Sequence, residues 1–231
     1  MMIRSGNFLF RTRNMLFPLL YLMLFSSGPV ASGHTRLALV VGCATIVTGQ
    51  TIRVLTVGLD YIVRGGRNKK VYADDLVRNG LFAHCRNSLY LGNLLMITGM
   101  GIASNNLYYL LIAMPLLFIA YACIIAAEEH YLSGRFGGQY HQYMTTTPRL
   151  LPKLKGLMNT LRDYPFNWER VLVKEYSTLC ISLLVMVALS YQALKPAMSW
   201  QLALLLALMI GLLCAGIREL KKRGILRARA G

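Results

Sequence analysis

Six apolar stretches separated by short polar segments limit what this chain can fold into more than any other feature. They cover residues 15–30, 37–61, 89–103, 107–127, 176–191 and 200–217. A helix that crosses a membrane needs about 20 predominantly apolar residues, and most of the stretches approach or exceed that length. With 55% hydrophobic and 15% charged residues, the composition also suits a polytopic membrane protein. We therefore predict an all-α fold, a polytopic membrane bundle of about six transmembrane helices.

The basic residues are distributed unevenly between these stretches, and their distribution predicts the topology. Of the 25 Lys and Arg residues, 22 lie before the first stretch, between the second and third, between the fourth and fifth, or after the sixth. Arg36 and Lys195 lie in the other loops, and Arg53 lies within the second stretch. Because cytoplasmic loops are enriched in Lys and Arg, we expect an integral membrane protein of the bacterial inner-membrane type with both termini in the cytoplasm.

The same pattern divides the chain into four parts. We expect an N-terminal transmembrane hairpin at 1–61, a core built on the central hairpin at 62–152, and an interfacial amphipathic segment at 153–175. A C-terminal transmembrane hairpin with a basic tail follows at 176–231. The basic start, the apolar run and the small residues near position 31 also resemble a cleaved signal peptide. An uncleaved first helix is the simpler account.

Several function classes lack their motifs in this sequence. There is no P-loop, HExxH or GxSxG, and the Gly99-Met100-Gly101 stretch has no βαβ context for a dinucleotide site. The +16 net charge is explained by the loops, so we expect no nucleic-acid partner. The four histidines have no metal-binding spacing, and we expect no metal. The five cysteines are odd in number and form no CxxC, so we expect free thiols.

Polar residues cluster at both ends of the central hairpin, whose two arms are joined by residues 104–106. If both arms span the bilayer, the hairpin brings these clusters together at one face, which we expect to be cytoplasmic. Carboxylates at the foot of a membrane helix are costly unless they are solvated, paired or used. The two clusters contain Arg86, Asn87, Tyr90, Glu128, Glu129, His130, Arg135, Phe136, Gly137, Tyr140 and Tyr143. Such a set suits a zwitterionic small molecule with an aromatic ring, or alternatively an interfacial ion-pair network with an aromatic belt.

The clusters also resemble the two half-motifs of the isoprenylcysteine carboxyl methyltransferase and phospholipid methyltransferase superfamily. The first, G-x-[YF]-x-x-x-R-H-P-x-Y-x-G, is matched by Gly80, Phe82, Arg86, Tyr90 and Gly92. The second, E-E-x-x-L-x-x-x-F-G-x-x-Y-x-x-Y, is matched by Glu128, Glu129, Leu132, Phe136, Gly137, Tyr140 and Tyr143. Pro148 and Pro152 resemble the closing prolines, and the resemblance covers about a third of the chain.

The resemblance implies an S-adenosylmethionine-dependent membrane methyltransferase, with the cofactor pocket in the core segment 62–152. It implies that the catalytic residues are Arg86, Glu129 and Arg135. It implies that the cofactor is bound by Asn87, Tyr90, Gly92, Gly99, Gly101, Glu128, Glu129, Tyr140 and Tyr143. The methyl acceptor would be lipophilic, such as a prenylcysteine-like carboxylate, a lipid amine or an isoprenoid, and would enter from the bilayer.

The sequence departs from the superfamily pattern at two places. Asn87-Ser88 replaces His-Pro, and Gly138-Gln139 replaces the usual acidic pair. Asn87 can still donate and accept hydrogen bonds, and His84 lies nearby in the sequence. Two alternatives therefore stay open, a membrane NADPH-dependent reductase of the sterol reductase type and a non-catalytic lipid-binding or scaffold protein. The sequence leaves the acceptor and the oligomeric state undetermined.

Overall fold

The computed structural model describes residues 2–60, 73 and 75–226. Eight α-helices occur within this part of the chain, together with 3₁₀ turns at Met23–Phe25 and Gly80–Ala83 and a π turn at Tyr109–Ala113. The helices are α1 Met2–Leu22, α2 Thr35–Leu59, α3 Ser88–Ser104, α4 Met114–Phe136, α5 Gly138–Thr146, α6 Leu157–Asp163, α7 Trp168–Leu194 and α8 Trp200–Lys222. Among the described residues, β-structure is limited to an isolated bridge between Val30 and Asn106.

Five helical segments are long and apolar enough to cross a membrane. They are Met2–Phe25, Thr35–Leu59, Tyr109–Phe136, Trp168–Leu194 and Trp200–Lys222, and α3 is a shorter apolar helix. The prediction of an all-α polytopic membrane bundle is therefore confirmed. Three parts of the sequence prediction fall outside the described residues. They are the domain boundary at 61/62, the basic residues at 64–70 and the last five residues of the tail.

Several boundaries differ from those predicted, and the fifth span begins at Trp168 rather than at residue 176. The first span begins at Met2 rather than at residue 15, because nothing before Pro18 interrupts the helix and Arg13 lies over the Phe10 ring. The fourth continues through the paired glutamates to Phe136 and ends at Gly137, whose φ of 50° favours glycine. The amphipathic segment predicted at 153–175 contains the short helix Leu157–Asp163, which Pro152 and the left-handed Gly156 precede, and its last eight residues belong to α7.

Two sets of hydrogen bonds define the ends of the bundle. At one end, Asn105 in the central hairpin turn bonds to the backbone of Ala31 and Ser32 in the α1–α2 loop. At the other end, Asn167 N donates to Gly58 O, which joins the start of α7 to the end of α2. We call the first end the opposite face and the second the motif face, because the predicted polar clusters lie there.

α2 and α3 pack closely along a line of glycines. A Cβ at Gly49 would lie 2.6 Å from Gly92 O, and one at Gly99 would lie 2.6 Å from Gly42 O. Small residues at these positions let the two backbones approach, as is common in membrane helices. This crossing fixes α3, and with it Asn87 and Tyr90, against α2.

α7 and α8 form the C-terminal hairpin and are joined by a disulfide between Cys180 and Cys214. The expectation that all five cysteines are free thiols is therefore wrong for this pair, whereas Cys43, Cys85 and Cys123 are free. The two cysteines are 34 residues apart in sequence. They meet because the helices run antiparallel, which places two mid-helix positions side by side, and spacing alone could not reveal this.

Candidate active site

Glu129 is the centre of the polar cluster at the motif face. Its Oε1 accepts hydrogen bonds from Asn87 Nδ2 at 2.9 Å and from Arg86 Nη2 at 3.3 Å. Its Oε2 forms an ion pair with Arg149 Nε at 2.9 Å. The carboxylate therefore joins the residues before α3, the body of α4 and the segment after α5. Three side chains thus donate to one mostly buried carboxylate, and hydrogen bonds to a charged group are the stronger kind.

Arg86 is held in place from several sides. Its Nη1 donates to Met144 O and Thr147 O, both at 2.9 Å, and its backbone N donates to Pro148 O at 3.0 Å. The carbonyls are available because α5 ends at Thr146, where the last carbonyls of a helix lack partners within the helix. Arg86 thus couples the end of α5 to Glu129.

Glu128 points to a different part of the bundle from Glu129. Successive residues of an α-helix are separated by about 100°, so two neighbouring carboxylates can serve two surroundings. Glu128 is buried and its Oε1 accepts a hydrogen bond from the Tyr90 hydroxyl. The Tyr90 ring in turn meets Tyr121 edge-on, with centroids 5.6 Å apart. The sequence prediction that the two half-motifs meet at one face agrees with this geometry.

The segment 148–156 lies against the cluster as a strap. Lys153 N donates to His84 O at 3.0 Å, and His84 Nδ1 lies 2.9 Å from Lys153 O. His84 Nε2 lies 2.9 Å from Thr160 Oγ1 in α6. Because a carbonyl can only accept, His84 donates from Nδ1 and is fully engaged with the strap. Asn87, which stands at the position of the motif histidine, instead donates to Glu129.

Cys85 lies beneath the strap and is a buried thiol. Its Sγ donates to Leu150 O at 3.2 Å. Burial raises the pKa of Cys85 from 9.0 to about 11, and the nearby Asn87 backbone and Arg86 charge offset only part of that effect. The thiol is therefore mainly protonated at neutral pH.

Tyr140 and Tyr143 on α5 are buried beside the cluster. The Tyr143 hydroxyl donates to Phe82 O at 2.6 Å, and the rings of Tyr140 and Tyr143 stack edge-on at 6.1 Å. These contacts join α5 to the turn before α3. A cofactor contact by either tyrosine stays a prediction.

The remaining predicted site residues lie apart from this cluster. Gly92 and Gly99 face α2, and Gly101 faces the Tyr109 ring. Their role in cofactor binding stays a prediction, and in the structure they permit helix packing. Arg135 is exposed in the last turn of α4. With a helical rise of about 1.5 Å per residue, it lies about 9 Å from Glu129 along the helix axis.

Sequence reasoning missed two ion pairs. Arg149, which pairs with Glu129, was not predicted as a site residue, although its position between the two motif prolines was a usable signal. A second ion pair was also missed, in which Arg53 Nη2 lies 2.7 Å from Glu175 Oε1. No group of three or more His, Cys, Asp or Glu side chains able to hold a metal occurs in the described part of the chain.

Two polar atoms in the cluster are buried without a hydrogen-bond partner among the described residues. They are Arg86 Nε and Ser88 Oγ. Buried polar groups in proteins are almost always bonded to protein, water or ligand. The cluster is therefore chemically suited to a polar ligand that brings its own acceptor and donor groups.

Residues 37–139 match the family model described as phospholipid methyltransferase. The nickel-cobalt-cadmium resistance protein NccN of Alcaligenes xylosoxydans xylosoxydans is 30% identical over 80 residues, which are 35% of this chain and 37% of that protein. The cobalt-zinc-cadmium resistance protein CzcN of Cupriavidus metallidurans is 30% identical over 79 residues, which are 34% of this chain and 36% of that protein.

The chain thus spans little more than a third of the length of these curated relatives. No solved structure matches this chain. The family match includes Arg86, Asn87, Tyr90 and both glutamates, and it ends before Arg149 and α7. The resemblance seen in the sequence is confirmed for residues 37–139, which match the phospholipid methyltransferase family.

Proposed function

We propose that this protein transfers a methyl group from S-adenosylmethionine to a lipophilic acceptor at the motif face. The observation that carries the proposal is the convergence of Asn87, Arg86 and Arg149 on the Glu129 carboxylate, within and beside the family-matched segment. The acceptor would be a prenylcysteine-like carboxylate, a lipid amine or an isoprenoid.

The residues of the cluster fit this cofactor. S-adenosylmethionine carries an amino acid group, ribose hydroxyls and an adenine ring, and it supplies a methyl group already activated on a sulfonium. Glu128 and Glu129 would accept from its ammonium or hydroxyl groups, and the orphaned Arg86 Nε and Ser88 Oγ would meet its acceptor oxygens. Because the methyl group is already activated, the chain's task is to position the reactants and to exclude water.

The proposal includes an orientation in the membrane. Both termini and the motif face would lie in the cytoplasm, where the soluble cofactor is available, in a bacterial inner membrane. The distribution of Lys and Arg supports this orientation. The acceptor would reach the cluster from the bilayer, between the helices.

The replacement of His-Pro by Asn87-Ser88 bears on the non-catalytic alternative. If the site were disabled, we would expect the residue that replaces the histidine to make no polar contacts with the cluster. Asn87 instead donates to both Glu129 Oε1 and Arg149 O, at 2.9 and 3.2 Å. This favours a working site with an altered ligand over a degenerate scaffold.

Calorimetric titration of the detergent-purified protein with S-adenosylhomocysteine, and separately with NADPH, tests the proposal. We expect micromolar binding of S-adenosylhomocysteine and at least tenfold weaker binding in Glu129→Gln, because a charged hydrogen bond contributes about 1.5–3 kcal/mol. Glu219→Gln is the matched control, since Glu219 pairs with Arg223 on the exposed surface of α8. Binding of NADPH alone would support the reductase, and binding of neither ligand would support the scaffold.

A further inference from the structure

A second polar cluster lies inside the bundle, among α2, α3 and α7. Arg53 Nε and Nη2 donate to the two oxygens of Glu175 at 2.9 and 2.7 Å, and Arg53 Nη1 donates to Asn93 Oδ1. Gln50 lies one turn before Arg53, and the Ser182 hydroxyl lies 3.5 Å from Gln50 Oε1. We call these five residues the polar niche.

The niche lies inside the helical bundle, away from the motif face, and is therefore costly to maintain. Asn93 is six residues into α3 from Asn87, about 9 Å along the helix axis. The side chains of Arg53 and Glu175 are only 12% and 4% exposed. Ionisable residues inside a membrane bundle are uncommon and generally mark a functional site.

One group of the niche lacks a partner. Gln50 is 7% exposed, and its Nε2 has no hydrogen-bond partner among the described residues. Leaving a buried N–H group unbonded is unfavourable. The niche therefore offers a fixed donor to an oxygen atom that comes from outside the protein.

The niche is joined to the candidate active site by a chain of contacts. Asn93 lies close to the Tyr121 side chain, the Tyr121 ring meets the Tyr90 ring, and the Tyr90 hydroxyl donates to Glu128. A molecule with its polar head at Gln50 would lie beside this chain, on the bilayer side of the motif face.

The charges of the niche select the kind of head group. Arg53 and Glu175 neutralise each other in a bidentate pair, so the niche has no net charge to offer a ligand. An ionised head group would be buried without a counter-charge, which is strongly unfavourable. A neutral head with a hydroxyl, ester or carbonyl oxygen satisfies Gln50 at no such cost.

We propose that the polar niche binds the neutral, oxygen-bearing head group of a lipid. This proposal does not depend on the proposed function. α7 supplies Glu175 and Ser182 and lies outside the family-matched segment, so the proposal also gives the C-terminal hairpin a role in binding lipid.

Thermal unfolding of the detergent-purified protein with four amphiphiles of one chain length tests the niche. The probes are hexadecanol, methyl hexadecanoate, hexadecanoate and hexadecylamine. We expect hexadecanol and methyl hexadecanoate to raise the unfolding temperature at lower concentrations than the two charged probes. In Gln50→Met the half-maximal concentration for the neutral probes should rise roughly tenfold, because the donor is lost while the length of the side chain is kept.

Gln201→Met on the exposed face of α8 is the matched control and should behave as the wild type. Should Gln50→Met not fold, Gln50→Leu serves in its place, since it also lacks the donor and the Ser182 hydroxyl keeps its bond to Leu179 O. Equal responses in wild type and Gln50→Met, or no preference for neutral probes, would overturn the proposal and leave a niche that holds water only. S-adenosylhomocysteine titration of the same samples separates the two proposals, since its failure alone leaves a lipid-binding niche without methyl transfer.

Discussion

Replacing Glu175 by Met tests whether the ion pair inside the bundle holds α7 against α2. The substitution removes both oxygens that accept from Arg53, at 2.7 and 2.9 Å, and leaves a guanidinium that cannot lose its charge. Asn93 remains as a partner of Arg53 and offsets part of the loss.

The size of the effect follows from the burial and geometry of the pair. Two unit charges about 4 Å apart attract by about 4 kcal/mol at an effective dielectric constant of 20. Breaking a buried pair by removing one partner typically costs about 3–5 kcal/mol. We therefore expect Glu175→Met to lower the free energy of unfolding by about 3 kcal/mol. The double variant Arg53→Met with Glu175→Met removes both charges and should lie within about 1 kcal/mol of the wild type.

Unfolding by sodium dodecyl sulfate in mixed micelles, followed by far-ultraviolet circular dichroism, measures the free energy of unfolding. Values for the wild type, the two single variants and the double variant complete a double-mutant cycle. Glu219→Met is the control, because Glu219 and Arg223 form an exposed pair four residues apart that contributes little. A loss below about 1 kcal/mol in Glu175→Met, or a double variant as unstable as the sum of the single variants, would refute the reasoning.

Two further predictions concern packing and titration. Gly99→Ala should lower the free energy of unfolding by about 1–3 kcal/mol, because its Cβ would lie 2.6 Å from Gly42 O. Gly134→Ala is the control, since its Cβ would meet open space and should not destabilise the helix. The same unfolding assay measures both variants. The raised pKa of Cys85 means that the folded protein keeps a proton that the unfolded chain releases, so stability should fall between about pH 9 and 11. Cys85→Ala should remove this part of the alkaline loss, and equal pH profiles for the two proteins would contradict it.

The contacts at the motif face were partly predictable from the sequence. The order of the half-motifs and the hairpin between them predicted that Arg86 and Asn87 would meet the paired glutamates, and Asn87 and Arg86 do bond to Glu129. The partnership of Arg149 was not predictable, because it depends on the path of a nonhelical strap whose position is fixed by backbone bonds to His84.

The different surroundings of the two glutamates also required the structure. In sequence they are equivalent neighbours, but the helical rotation of about 100° directs Glu128 to Tyr90 and Glu129 to the arginines. The role of the motif glycines also required the structure, since a glycine allows the backbone to approach either a neighbouring helix or a ligand. Only the neighbouring helix shows that Gly92 and Gly99 pack against α2.

By itself, the sequence determined the membrane class, the helical fold and the place of the polar cluster. These follow from the length and spacing of the apolar stretches and from local motifs, which are properties of adjacent residues. The tertiary structure decided the Arg53–Glu175 pair and the Cys180–Cys214 bond. Each joins two different helices, and such pairings depend on which helix faces pack together rather than on any pattern within one helix.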